Sequence, residues 1–186
     1  MNLRKFHRKA APILFIPLLL TALTGVAYRI GRSWFGLSDE FGEFMMMLHE
    51  GRFLGKPIVP AYVLLVGLGL LGIMVSGISL MKRRKDPIQQ NAVKLNGRKL
   101  HQIMAPIAFL PFGISALTGV AYRLGKAWFG LSADQAAILL KIHQGSYLGS
   151  ALRPIYVLLV GLSLVIMLAT GIQMSGVFRK RRVRAS

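Results

Sequence analysis

The chain contains no cysteine, which excludes structural disulfides, thiolate metal sites and the Cys-x-x-Cys-His attachment of c-type haem. Acidic residues are scarce too, because six carboxylates face 24 lysines and arginines and leave a net charge of +18. No Gly-x-Gly-x-x-Gly segment follows a strand, so the sequence lacks the fingerprint of a nicotinamide or flavin nucleotide site. What remains is a basic chain dominated by apolar residues.

Long apolar runs place the chain in a membrane. Hydrophobic residues make up 54% of the sequence, and the mean hydropathy is +0.54. Four runs approach the roughly 20 residues that a helix needs to cross a bilayer. They cover residues 10–28, 60–81, 103–122 and 154–176. The connecting segments are too short for an independent core, so residues 1–186 are expected to form one all-α domain, a four-helix transmembrane bundle.

The sequence repeats itself at an offset of 94 residues. The segment Leu23–Arg29 recurs as Leu117–Arg123, and Trp34–Ser38 recurs as Trp128–Ser132. We interpret the chain as two tandem parallel repeats, the first covering about residues 1–85 and the second about 95–179. The first span also recurs mid-chain, which favours a permanent span over a cleaved signal peptide. Two repeats with one orientation predict a pseudo-two-fold axis along the membrane normal.

The distribution of basic residues predicts the topology. Sixteen of the 24 lysines and arginines lie before the first span, between the second and third, and after the fourth. Because such residues stay on the cytoplasmic side, both termini are expected in the cytoplasm of a cell with a bacterial-type inner (plasma) membrane. Basic runs beside apolar spans are typical of topology signals and of contacts with anionic lipid, so no nucleic-acid partner is expected.

All four histidines obey the same 94-residue offset. His7 pairs with His101 at the cytoplasmic start of a span, and His49 pairs with His143 in an outer segment. A two-fold axis brings equivalent residues face to face, and a b-type haem needs two imidazoles on opposite faces of its ring. The pattern predicts two haem b groups, an inner one held by His7 and His101 and an outer one held by His49 and His143.

The outer histidines precede prolines that separate them from the next span, so short interfacial helices are expected to carry them. Ser132 and Gln135 have the spacing of a capping box, and Gly145 is expected to end that helix. In the first repeat, Ser38 and Gly51 hold the equivalent positions. Arg29 and Arg123 occupy matching outer ends of the first and third spans, where they could pair with haem propionates or simply extend to the interface.

Other interpretations remain open from the residues alone. A single interfacial histidine is often only hydrogen-bonded to backbone, and the chain could be a non-redox assembly subunit. A histidine site for a divalent metal is a third alternative, although Glu50, which follows His49, is replaced by Gln144 in the second repeat. A redox role would need electrons from a membrane quinol or a separate protein donor, and a homodimer could ligate haem between chains.

Short motifs around these histidines resemble the PepSY-associated transmembrane family. They comprise a histidine opening a span that ends in Thr-Gly, a His-x-Gly segment, and a span ending in a small residue, glycine and a hydrophobic residue. In the first repeat these are His7 with Thr24-Gly25, His49-Glu50-Gly51 and Ser76-Gly77-Ile78. In the second they are His101 with Thr118-Gly119, His143-Gln144-Gly145 and Thr170-Gly171-Ile172. The resemblance implies a membrane b-type cytochrome with these four histidines as axial ligands, which in some members passes electrons to ferric iron complexes.

Overall fold

Four long helices dominate the computed structural model, which describes residues 2–82 and 96–175. They are α1 (Leu3–Trp34), α3 (Val59–Lys82), α4 (Gly97–Trp128) and α6 (Gly149–Ser175). Each is long and apolar enough to cross a membrane, and no strand occurs in the described segments. The predicted all-α transmembrane bundle is therefore confirmed. The basic residues at 83–85, 94 and 179–184, on which much of the topology prediction rests, lie outside the described residues.

Helices α1 and α4 begin and end further out than the apolar runs predict. Helix α1 begins at Leu3 because the side chain of Asn2 caps it, accepting a hydrogen bond from the backbone N–H of Lys5 at 3.3 Å. Asn96 caps α4 in the same way, with Lys99 N at 3.0 Å. Both histidines near these starts, His7 and His101, therefore lie inside regular helix and not in a preceding loop.

The four long helices are arranged around a square. Helix α1 packs against α3 and α6, and α4 packs against the same two helices. Helices α1 and α4 therefore occupy opposite corners and face each other across the centre of the bundle. The bounds of α1 and α4 differ by 94 residues, the offset at which the sequence repeats.

Two short helices lie in the connections at one end of the bundle. They are α2 (Asp39–His49), which packs on α1, and α5 (Ala133–His143), which packs on α4. The capping box predicted at Ser132 and Gln135 is present. Gly51 and Gly145 follow the two helices with φ angles of 72° and 66°, a left-handed conformation that glycine adopts without strain. Each glycine is followed by a single 3₁₀ turn, Arg52–Leu54 or Ser146–Leu148.

A small apolar core lies at the middle of the bundle. Leu18, Leu70, Ala108, Phe112 and Leu168 form it, each no more than 8% exposed. Large apolar side chains cover the outside, among them Ile13 at 75% and Leu65 at 69% exposed. A water-soluble protein rarely exposes so much contiguous apolar surface, whereas a bilayer accepts it.

Candidate functional site

His49 and His143, which we call the loop pair, come together between the tips of α2 and α5. Their ring centroids are 6.4 Å apart, and the ring planes are inclined by 65°. Two imidazoles that bind one metal ion from opposite sides have centroids roughly 6 to 6.5 Å apart, because each metal–nitrogen bond is about 2.0 Å long. The separation of the loop pair therefore suits a single metal centre held between the two rings.

Each ring of the loop pair is held by the long helix beneath it. His49 Nδ1 lies 2.9 Å from the carbonyl oxygen of Thr21, and His143 Nδ1 lies 2.9 Å from that of Ser115. A carbonyl can only accept a hydrogen bond, so Nδ1 carries the proton in both rings and donates it. The lone pair of each neutral imidazole is then on Nε2, the atom that a metal ion would use.

Burial keeps the loop pair neutral. The pKa of His49 falls to about 4, mainly because the ring is buried and in smaller part because His143 lies beside it. Burial also lowers the pKa of His143. Both imidazoles are therefore uncharged at pH 7, which is the form that binds a metal ion.

His7 and His101, which we call the helix-start pair, lie at the opposite end of the bundle on the facing helices α1 and α4. They occupy equivalent positions of these helices, 94 residues apart in the sequence. His7 Nδ1 lies 2.9 Å from the hydroxyl of Ser76 on α3, and His101 Nδ1 lies 2.9 Å from that of Thr170 on α6. The structure thus pairs each of these histidines with a hydroxyl on a neighbouring long helix.

The carbonyl partners of the Ser76 and Thr170 hydroxyls determine the direction of these hydrogen bonds. Ser76 donates its proton to the carbonyl of Ile73 at 3.0 Å, and Thr170 donates to that of Ile166 at 2.7 Å. A hydroxyl has one proton, so each must accept from the histidine Nδ1–H. All four histidines therefore share one tautomer, with Nδ1 as donor. Within the described residues, no hydrogen bond involves any Nε2.

The buried polar residues of the described segments all serve these histidines. They are Thr24 at 5%, Ser76 at 1% and Thr170 at 6% exposed. Thr24 Oγ1 lies 3.5 Å from His49 Nδ1, as Thr118 Oγ1 does from His143 Nδ1. Because burying a hydroxyl in an apolar bundle is costly, this distribution marks the histidines as the feature around which polar groups are arranged.

Glycines make room for the histidine rings. A Cβ atom at Gly25 would lie 3.0 Å from Cε1 of His49, and one at Gly119 would lie 2.9 Å from Cε1 of His143. At Gly77 the corresponding distance to His7 Cε1 is 3.2 Å. At Ser76-Gly77 the hydroxyl accepts from the Nδ1–H of His7, and the glycine leaves space for the ring. At Gly25 and Gly119 the glycine leaves the space, while the histidine Nδ1–H donates to a backbone carbonyl.

A cavity of about 260 Å³ lies below the loop pair and reaches down to the apolar core. Its walls come from all four long helices and are mostly aliphatic, with Val66, Leu70, Phe112, Val160 and Leu164 among them. Arg29, Arg123, Glu50 and Gln144 line its charged end. An apolar chamber with charged groups at one end and two neutral imidazoles fits the donor set and amphipathic character of haem b.

Arg29 and Arg123 reach across the bundle to the loop helices of the other half. The guanidinium of Arg29 donates to Gln144 Oε1 at 3.1 Å, and that of Arg123 lies 3.4 Å from Glu50 Oε2. Both arginines, which the sequence analysis names as candidate cofactor-binding residues, line the cavity. Their pairing with propionates stays a prediction, and the partner of Arg123 in this structure is a carboxylate of the chain.

Replacing Gly119 by alanine is expected to weaken cofactor binding at the loop pair by about tenfold, because the new Cβ displaces the His143 ring from its carbonyl partner. Gly113→Ala on the same helix is the matched control, since its Cβ would meet only Met74 Cε, at 3.7 Å. Both substitutions gain similar helix propensity. Haem titration followed by Soret absorbance compares them, and equal affinities in the two variants would contradict the role assigned to Gly119.

Comparison with known proteins adds one match. Residues 29–137, more than half of the chain, match the family described as PepSY-associated TM region. That segment includes His49 and His101, whereas His7 and His143 fall outside it. Searches of curated proteins and of solved structures found no match. The chain is a membrane protein, and it belongs to the PepSY-associated TM region family.

Proposed function

We propose that this membrane protein is a two-haem b-type cytochrome that transfers electrons across the bilayer, as part of a ferric or other reductase system. The observation that carries the proposal is the loop pair, with ring centroids 6.4 Å apart. Each ring is fixed through Nδ1 to a backbone carbonyl and leaves Nε2 free to bind iron. A bound haem would supply a one-electron redox centre at each histidine pair.

The residues around the loop pair perform three tasks in this proposal. Thr21 and Ser115 fix the imidazole orientation through their backbone carbonyls. Gly25 and Gly119 leave room for the rings. The aliphatic walls of the cavity exclude water, which keeps the imidazoles neutral and their Nε2 atoms available.

The helix-start pair would form the second site. Ser76 and Thr170 orient His7 and His101 from the two helices that flank them. The apolar core that includes Leu18 and Phe112 lies between the two histidine pairs. In the proposed topology the helix-start pair is on the cytoplasmic side, as are both termini, and the loop pair is on the outer side.

The donor set favours haem over a bare metal ion. Among the described residues, no three histidine or acidic side chains come together as a metal site would need. Two axial imidazoles are by contrast a complete protein contribution to a low-spin haem. A separate redox protein or a membrane quinol would supply electrons. The Gly-x-Gly-x-x-Gly segment at residues 67–72 lies inside the apolar helix α3 and follows no strand, so it is not a nucleotide-binding loop.

A reduced-minus-oxidised visible spectrum of the detergent-purified protein tests the proposal. We expect sharp α and Soret bands, and pyridine haemochrome analysis should give close to two b haems per chain. Loading the protein with Zn²⁺ or Cu²⁺ measures the metal alternative on the same sample. A colourless protein from haem-replete cells that also fails to bind haem in titration would rule out the cytochrome function.

A further inference from the structure

The two charged corners of the loop-helix end are not equivalent. One corner contains Arg52, Arg123, Glu43 and Glu50, and we call it the paired corner. Arg52 lies 3.0 Å from Glu43 and 3.3 Å from Glu50, whose carboxylate also reaches Arg123 at 3.4 Å. Two cations and two carboxylates meet there, so the paired corner is electrically neutral.

In the equivalent corner, the charged side chains are all cations. It contains Arg29, Arg153 and Gln144, and we call it the open corner. The 94-residue offset aligns Ala137 with Glu43 and Gln144 with Glu50, so both carboxylates are lost. It also aligns Ser146 with Arg52 and Arg153 with Val59, so the number of cations stays at two. Helix α1, which carries Arg29, packs on α6, which carries Arg153, and Val26 of α1 lies against Gly161 of α6. The two guanidinium groups are close enough to interact electrostatically. Among the described residues, no carboxylate lies within 4.0 Å of either one.

Arg153 also has a hydrogen-bond donor without a partner. Its Nε atom is buried and makes no hydrogen bond to any described residue. In the paired corner, Arg52 Nε likewise lacks hydrogen-bond geometry, but it has the Glu50 carboxylate at 3.3 Å. A buried, unpaired guanidinium donor beside a second cation is unfavourable unless an anion completes the arrangement.

We propose that Arg29, Arg153 and Gln144 form a binding site for a carboxylate or phosphate group at the charged end of the cavity. Guanidinium groups match the planar oxygens of such anions, and the amide of Gln144 can add a neutral donor where a carboxylate would repel. Because Arg29 and Gln144 line the cavity, the anion can be a propionate of a haem held by the loop pair. The same chemistry would also bind a free anion from the aqueous side.

The proposal makes the two arginines of the cavity unequal. Arg123 already has the Glu50 carboxylate as a partner, whereas the partners of Arg29 are the neutral amide of Gln144 and the ring of Tyr28. The open corner is therefore the anchor for the anion, and the paired corner is a structural ion-pair network. The idea that the anion is a haem propionate rests on the proposed function, but the anion site itself does not.

Titration of the haem-free chain with haem and with haem dimethyl ester tests whether the bound anion is a haem propionate, since the ester has no ionised propionate. The loop-pair haem is identified by its loss in His143→Ala. We expect Arg153→Val, which installs the residue of the equivalent position, to lower haem affinity at this site by about tenfold. Affinity for the dimethyl ester should change less than twofold, and Lys141→Gln, an exposed cation on α5, should change neither.

Thermal unfolding of the haem-free chain in citrate or inorganic phosphate, against chloride at equal ionic strength, tests the free-anion source. If these anions stabilise the wild-type chain but not Arg29→Gln or Arg153→Val, and if esterification of haem does not change its affinity, the site binds a free anion. If neither variant alters haem affinity or anion stabilisation, the anion site is refuted. If the wild-type chain binds no haem, the proposed function fails. The unfolding experiment in citrate or phosphate still tests whether the open corner binds an anion.

Discussion

Replacing His143 by alanine is expected to lower the haem content from two to one per chain, and His49→Ala is expected to remove the same haem. The reason is geometric, because the two ring centroids are 6.4 Å apart and a haem held between the rings would need both Nε2 atoms. The helix-start pair, at the other end of the bundle, should retain its haem in both variants. Pyridine haemochrome analysis with the reduced-minus-oxidised spectrum measures the loss and identifies which spectral component disappears.

Lys141→Gln is the matched control, because it changes an exposed residue of α5 two positions from His143. It should retain both haems and the wild-type spectrum. Loss of different spectral components in His49→Ala and His143→Ala would show that the two histidines bind separate groups. Circular dichroism of each variant separates loss of a ligand from loss of the fold.

The double variant Ser76→Ala with Thr170→Val should lose the other haem while retaining the one at the loop pair. Each hydroxyl accepts the Nδ1–H of a histidine, and losing such an orienting partner typically costs about 10–100-fold in metal affinity. With both hydroxyls removed, each ring loses the side-chain partner that fixes its orientation. Titration of the haem-free variant, monitored at the Soret maximum, gives the affinity of each site.

Ser79→Ala combined with Ser163→Ala provides the control on the same two helices. The hydroxyls of Ser79 and Ser163 donate only to backbone carbonyls, of Val75 and Val160 respectively, and contact no histidine. This control should bind both haems as the wild type does. Equal affinity in the two double variants would contradict the orienting role of Ser76 and Thr170.

Local features of the fold could be predicted from the sequence because their causes lie within a few residues. Apolar runs predict the four long helices, and Ser132 with Gln135 predicts the start of α5, since a capping box joins positions three residues apart. The ends of the runs were less informative. Asn2 and Asn96 extend α1 and α4 beyond the apolar segments, through cap hydrogen bonds that hydropathy does not measure.

The surroundings of the histidines could not be predicted, because their causes are distant in sequence. His7 and Ser76 are 69 residues apart, and only the packing of α1 against α3 brings them together. A helical projection places Gly25 on the face of His7, but its close neighbour is His49, which reaches it through the folding of α2 onto α1. The sequence did contain a signal for these contacts, namely hydroxyl-Gly steps in matching positions of both halves.

With a haem at each histidine pair, as proposed, the separation of the pairs would couple this protein to the membrane voltage. His49 is anchored at the carbonyl of Thr21, 14 residues along α1 from His7, which is about 21 Å of helix. That distance is roughly two thirds of a hydrocarbon layer about 30 Å thick. The free energy of moving one electron from one pair to the other would then change by about 1.5 kcal/mol for each 100 mV of membrane potential. The electron occupancies of the two sites would shift relative to each other by roughly tenfold over that range, so a potential across the membrane would act directly on the redox equilibrium inside the bundle.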